Sequence, residues 1–301
     1  MKSFKGVIAA PISPMTAAGD VDESAFARVL EFNLQSGIHG FWLAGGSGES
    51  IMLDDEENRQ LATVAAEVVG DRGISIMHVG SPTTRRSVAM AEHAASVGVD
   101  AICCVPPFFY ARSDEEIVEH YRVVAAAADL PLFAYNLPHM TGVEITPNLM
   151  RKIADRVPQL RGLKHSAPRF ATMMEFLAMD LDCFIGNCHL LLPALAAGAV
   201  GCVDGPPNMA PEIFVEVWDA FQAGDLERAR QAQRHSLAIQ DIFAQFGSER
   251  FHAVLKTVVA ERIGLDNADP RPPALPLSPQ ERDRVLTEAA ALGLTPVTAN
   301  A

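Results

Sequence analysis

Short apolar runs alternate with longer amphipathic stretches along most of the chain. Gly6-Val7-Ile8-Ala9-Ala10 is apolar at every position, as expected of a strand covered on both faces. A helix is predicted from Glu23 to Gln35, with Phe26, Val29, Leu30 and Leu34 near helical spacing and Gly37 beyond its end. The alternation then repeats. Gly40 to Ala44 reads as a strand and Asp54 to Val69 as a helix. Ile74 to His78 is followed by a helix from Thr83 to Val97, and Ala101 to Val105 by one from Asp114 to Ala128. Pro131 to Tyr135 precedes a helix at Pro147 to Arg156, and Leu160 to Ser166 is the sixth strand. Cys183 to Gly186 and Val200 to Val203 complete the series, with a short helix between them near Leu190 to Ala197.

The second to sixth strands begin roughly every 25 to 30 residues, the length of one βα unit. Strict strand–helix alternation predicts a parallel sheet. Eight units ending near residue 223 fit a closed (β/α)8 TIM barrel, typically ~250 residues. An open doubly wound sheet is the competing arrangement, and no glycine fingerprint follows the first strand to support it. After residue 224 the pattern becomes helical, with Asp225 to Phe246, Glu249 to Ile263 and Pro279 to Leu292. The expected division is a barrel over 1–224 and a C-terminal helical extension over 225–301. Three helices alone would make a marginal core, so the extension is expected to pack on the barrel.

Composition narrows the function more than the fold. The net charge of −13 shows no basic patch and argues against nucleic acid. Five cysteines, an odd count with no paired metal spacing, suit a reducing compartment, and a cytoplasmic location is expected. Pro11 ends the first apolar run too early for a signal peptide, and no apolar segment is long enough for a membrane span.

In such a barrel the strand C-termini and following loops build the site. The sixth strand ends in Lys164, His165 and Ser166. Of five lysines, Lys2 and Lys5 lie in the N-terminal tail and Lys152 and Lys256 on predicted helices, so Lys164 alone falls at an inward-facing strand position. Burial disfavours an ammonium and lowers its pKa, and a neutral amine attacks ketones to form a Schiff base. A lysine that snorkels from a strand end is the competing reading. Tyr135 ends the neighbouring strand, ~4.8 Å away, where a phenol can shuttle protons for imine chemistry. Gly45-Gly46-Ser47-Gly48-Glu49 brings backbone N–H groups and one hydroxyl toward an anion such as a small carboxylate. A metal site built from His78, His165, His189 and Asp204 matches no ligand motif, and none is expected.

Four segments together resemble the dihydrodipicolinate synthase / N-acetylneuraminate lyase family, the class I pyruvate-dependent aldolases. They are Gly45 to Glu49, Tyr135-Asn136-Leu137-Pro138, Gly162-Leu163-Lys164, and Gly198 to Asn208. The likeness runs over nearly the whole chain. It implies that Lys164 forms an imine with a 2-oxo acid such as pyruvate and that no other cofactor is needed. It implies that Tyr135 relays protons, that Ser47 with the amides around Gly46 and Gly48 holds the carboxylate, and that the Val203 carbonyl lies near the lysine. It also implies a homotetramer, a dimer of dimers.

The departures shape the expected substrate. The first loop threonine of the family is Gly46 here, and the tyrosine that crosses the dimer interface is Phe109, followed by Tyr110. After Lys164 the chain reads His165-Ser166-Ala167-Pro168-Arg169, where the family often reads Asp-Ser-Ser-Gly-Asp or Gln-Thr-Ser-Gly-Asp. Cys188 and His189 stand where sialic-acid lyases carry acidic residues, and Asp204 where serine or glycine is usual. Met140 stands where dihydrodipicolinate synthases carry the arginine that holds their second substrate, so a true dihydrodipicolinate synthase is not expected. Three functions follow from the resemblance: an aldolase-type lyase, a dehydratase or hydratase of a 2-keto-3-deoxy sugar acid, or a silent member that binds a 2-oxo acid.

Overall fold

The computed structural model describes residues 2–297. Its strands are β1 (Gly6–Ala9), β2 (Gly40–Leu43), β3 (Ile74–His78), β4 (Ala101–Cys104), β5 (Leu132–Asn136), β6 (Leu160–His165), β7 (Asp182–Ile185) and β8 (Gly201–Asp204). They close into one barrel in sequence order, and β8 pairs parallel with β1. Helices α1 (Glu23–Gln35), α2 (Asp55–Val69), α3 (Thr84–Val97), α4 (Asp114–Ala128), α5 (Pro138–Thr141), α6 (Pro147–Arg156), α7 (Phe170–Leu177), α8 (Leu191–Ala196) and α9 (Pro211–Gln222) fill the connections. This is the (β/α)8 barrel that the alternation predicts.

The barrel strands are buried on both faces, which explains their unbroken apolar sequence. Ile8, Trp42, Ile76, Cys103, Phe133, Phe184 and Val203 pack inside, while Val7, Phe41, Met77, Ile102 and Leu163 pack outward against the helices. Because side chains alternate along a strand, Leu163 outside puts Lys164 inside and His165 outside. A register shift between β5 and β6 leaves Arg161 out of the pairing, with its side chain on Asp182 (2.6 Å). Beyond it Tyr135 lies opposite Lys164. Gly162 fits this crowded spot because a Cβ there would meet the Asp182 carbonyl at 2.1 Å.

Element ends are the main point where the sequence reading and the fold differ. Strands β1, β2, β4 and β6 stop one residue early, and β5, β7 and β8 are displaced by one. Ala44 takes φ +48 and ends β2. The helices α5 and α7 were not expected. The second is short and begins after Arg169, which makes no side-chain cap, and this hides its start. The extension holds α10 (Leu226–Ala244), α11 (Phe251–Ile263) and α12 (Pro279–Ala291). Ala253 through Ala260 of α11 are all buried, and Val254, Leu255, Val258 and Val259 join the hydrophobic cluster that covers the outer face of the barrel. No helix among the described residues is long and apolar enough to cross a membrane.

Candidate active site

At the C-terminal mouth of the barrel, Lys164 projects inward and is only 4% exposed. Its Nζ donates to Tyr135 Oη (3.1 Å) and lies 4.3 Å from the centre of the Tyr135 ring. The Trp42 ring, next to that of Tyr135, stands 5.4 Å away. Among the described residues no carboxylate lies within ion-pair distance of Lys164. Aromatic faces therefore take the place of a counter-ion, an interaction that strengthens when water is excluded. The result is a positioned amine with no salt bridge to break before it reacts.

Tyr135 is flanked by two rings. Trp42 packs edge to face with it at 5.5 Å and His78 at 6.0 Å. A Cβ at Gly46 would come no nearer than 3.9 Å to its hydroxyl. His78 sits on the Ala44 carbonyl through Nδ1 (3.1 Å), which leaves Nε2 buried without a partner. Burial, helped by the Lys164 ammonium and opposed by that carbonyl, pushes the His78 pKa down to about 4. The imidazole is thus neutral near pH 7 and does not compete with the lysine for positive charge.

Two adjoining cavities open at this point and share Gly46, Tyr135, Leu137, Met140 and His252. The larger, about 770 Å³, contains Lys164, Ser47, Ser166, Asn187 and Asp204. The smaller, about 400 Å³, is mainly apolar, with Ile51, Met52, Val105 and Phe108 in its wall. Apart from Lys164, the arginine or lysine in these walls is Arg271, whose guanidinium is taken by Glu57 (2.6 and 3.0 Å) and by the Gly19 carbonyl. A second substrate entering here meets no unpaired guanidinium among the described residues.

The sequence-derived residues divide into those that meet at the mouth and those that do not. Lys164, Tyr135, Gly46, Ser47, Ser166, Asp204 and Met140 all line the larger cavity. Asp204 is partly occupied, because its carboxylate accepts from the Cys188 and Gly205 N–H groups (3.0 and 2.8 Å). Gly48 is not a lining residue; it is packed so closely that a Cβ would meet Pro11 O at 3.1 Å. Val203 is buried in the barrel interior below the cavity. His189 turns away from both cavities and rests on Phe214 (6.1 Å). Phe109 and Tyr110 pack edge to face at 5.0 Å, 83% and 65% exposed, outside the cavity walls. His165 faces the helix layer, with Nε2 on the Arg169 carbonyl (3.2 Å). No cluster of three His, Cys, Asp or Glu groups that could hold a metal is present among the described residues. All five cysteines are buried and unpaired.

Sequence reasoning missed three residues that touch or support this mouth. Trp42 carried a signal, an aromatic at an inward position of the strand that leads into the glycine loop. His252 lines both cavities from α11, and its Nε2 donates to the Gly46 carbonyl (2.9 Å). Lys256, set aside as a helix lysine, is 1% exposed and ion-paired with Glu49. Its signal was a lone charge inside Ala253-Val254-Leu255-Lys256-Thr257-Val258-Val259.

Comparison with known proteins agrees with this fold. The sequence model of the dihydrodipicolinate synthetase family matches residues 3–292. An uncharacterized DapA-like lyase of Halobacterium salinarum is 33% identical, over 94% of this chain and 93% of the relative. The 4-hydroxy-tetrahydrodipicolinate synthase of Methanopyrus kandleri is 31% identical, over 97% and 98%. The solved dihydrodipicolinate synthase of Aquifex aeolicus superposes with a TM-score of 0.90 at 26% identity, over 98% of this chain and all of that one. Proteus mirabilis N-acetylneuraminate lyase, at 24% identity and a TM-score of 0.89 over 97% and 100%, shares the fold.

Proposed function

The chain belongs to the dihydrodipicolinate synthetase family, a lyase of the class I aldolase type that works through a lysine imine, and we propose that Lys164 is its amine. The observation that supports this most is the Lys164–Tyr135 pair, an inward amine on a phenol with no carboxylate beside it. The amine adds to C2 of a 2-oxo acid, and the carbinolamine loses water to give the imine. Cleavage of the C3–C4 bond leaves its electrons in an enamine, while the C4 hydroxyl gives up its proton and becomes a carbonyl, and the C4 fragment departs as an aldehyde. Tyr135 carries protons into and out of these steps. Protonation at C3 and hydrolysis then release pyruvate and regenerate Lys164.

The acceptor aldehyde is not aspartate semialdehyde in this reading. Met140 is 64% exposed in the mouth and offers a thioether, and Arg271 is committed to Glu57. The exposed Phe109 and Tyr110 beside the mouth support an assembly of several copies, the homotetramer that the resemblance implies.

Borohydride reduction with pyruvate tests the proposal. Intact mass and peptide mapping should place one pyruvate-derived adduct on Lys164. Label on another lysine, or none on the folded protein, overturns it. Pyruvate release from 4-hydroxy-2-oxo acids then marks an aldolase, and loss of water without pyruvate release marks the dehydratase. An imine with neither outcome marks a silent binder.

A further inference from the structure

The loop from Gly45 to Glu49 is the part of the mouth that would receive the substrate carboxylate, and it is fixed in an unusual way. Ala44 and Glu49, at its two ends, both lie in the left-handed region without being glycine (φ +48 and +55). Such conformations persist when surrounding contacts enforce them. Between them the loop closes one turn, Glu49 N–H to Gly46 O (3.0 Å). The N–H groups of Gly46, Ser47 and Gly48 donate to no protein acceptor among the described residues. Successive amides left free in this way form an anion-binding concavity.

What enforces the loop comes from the far end of the chain. Lys256 on α11 is ion-paired with Glu49, and both side chains are 2% exposed. Lys256 Nζ also donates to the Asp269 carbonyl (3.1 Å), and Glu49 Oε1 accepts from the Arg271 N–H (2.8 Å). One helical turn before Lys256, His252 donates to the Gly46 carbonyl (2.9 Å). The same helix thus grips the loop at its beginning and at its end. Lys256 lines neither cavity, so it does not reach the reacting atoms.

We propose that Lys256 and Glu49 are positioning residues: their ion pair holds the loop amides and Ser47 in register for the carboxylate of the 2-oxo acid. This rests on the Lys164 imine reading. The pair sets the affinity for the carboxylate, while the carbon chemistry stays with Lys164 and Tyr135. A purely structural pair would instead change stability and leave carboxylate affinity alone.

The two roles separate in the double variant Glu49→Leu/Lys256→Met. Removing both charges avoids the lone buried charge that either single variant leaves, so the fold is retained. The pyruvate concentration giving half-maximal borohydride-trapped adduct should rise about tenfold or more in this variant, as misplacement of a positioned group predicts. The adduct at saturating pyruvate should remain on Lys164, and Glu49→Asp, which keeps the charge, should recover part of the loss. A folded double variant with wild-type half-saturation overturns the positioning role while leaving Lys164 untouched. Absence of any adduct in the wild type overturns the imine reading and this inference with it. Should the double variant not fold, His252→Ala reads the same loop from its other end, and unchanged half-saturation there overturns the grip by α11.

Discussion

Two lysines are buried in this molecule, Lys164 at 4% and Lys256 at 1% exposure, and their surroundings could hardly differ more. Lys164 comes from a strand, faces a cavity, and has a phenol and two aromatic faces for company. Lys256 comes from a helix in the extension, faces no cavity, and is neutralised by Glu49. Burial pushes the Lys256 amine down in pKa, and Glu49 pulls it back up. Burial alone therefore does not decide what a lysine does. The partner and the access do. A carboxylate partner ties the ammonium of Lys256 to the loop it holds, whereas Lys164 faces the cavity with no carboxylate to hold it.

The largest expected difference follows directly. Lys164→Ala should abolish the pyruvate adduct completely and barely move the melting temperature, because no partner charge is left behind. Lys256→Met should do the reverse. It strands Glu49 in a buried site at a cost of about 3–5 kcal/mol, while Lys164 still forms an adduct when the protein is folded. Mass spectrometry with borohydride and chemical denaturation read the two effects. Loss of the adduct in folded Lys256→Met would collapse the distinction.

Next in size is the phenol. Tyr135→Phe keeps the ring under the ammonium and removes the hydroxyl, so it isolates proton relay from packing. Turnover should fall by about two to four orders of magnitude, and the trapped adduct should still map to Lys164. Unchanged turnover would mean that the proton passes through another group, with Tyr110 and the cavity-lining His252 to be tried next.

A smaller effect is expected at the acceptor side. Condensation of pyruvate with aspartate semialdehyde should stay below a kcat/KM of about 10⁴ M⁻¹s⁻¹, the lower end of ordinary enzyme efficiency. Met140→Arg should raise it by about tenfold, since a charged hydrogen bond is worth roughly 1.5–3 kcal/mol. Efficient condensation by the unaltered protein would show that some other cation serves the second carboxylate.

The Lys164 side of this comparison was legible in the sequence and the Lys256 side was not. Strand alternation is local: an apolar run and an inward position follow from a few neighbouring residues. The one-unit spacing of Tyr135 and Lys164 gave their adjacency, which the register confirms. Lys256 meets Glu49 because α11 folds back over the barrel mouth, and no local pattern encodes that return. The same holds for His252 and the Gly46 carbonyl. His189 shows the opposite error. The rule that strand ends build the site placed it in the mouth, but the turn after β7 aims its ring at Phe214. Residues just beyond a strand take their direction from the turn, not from strand alternation.

The smallest effect is electrostatic and tests whether the Lys164 charge is felt by its neighbours while that of Lys256 is not. His78 is depressed from the ordinary value of 6.5 to about 4, by burial first and by the Lys164 ammonium as well. Between those values the unfolded chain binds the proton and the folded protein does not, so stability falls as pH falls through this window. The stabilisation is complete above about pH 6.5, and roughly 3 kcal/mol of it is lost by the time pH 4 is reached. His120, also held near 4 by its burial, adds a parallel contribution. The test is therefore made by difference. His78→Gln, whose amide can still donate to the Ala44 carbonyl, should flatten the denaturation midpoint between pH 7 and pH 4.5 by one histidine's share. Lys164→Met should leave the window in place but shift the His78 titration, followed by the NMR signal of its imidazole, toward higher pH. Lys256→Met should leave that titration where it was, because its charge is already matched by Glu49. A His78 that titrates near 6.5 in the unaltered protein would mean that water reaches the ring, and the sheltered mouth described for Lys164 would have to be abandoned.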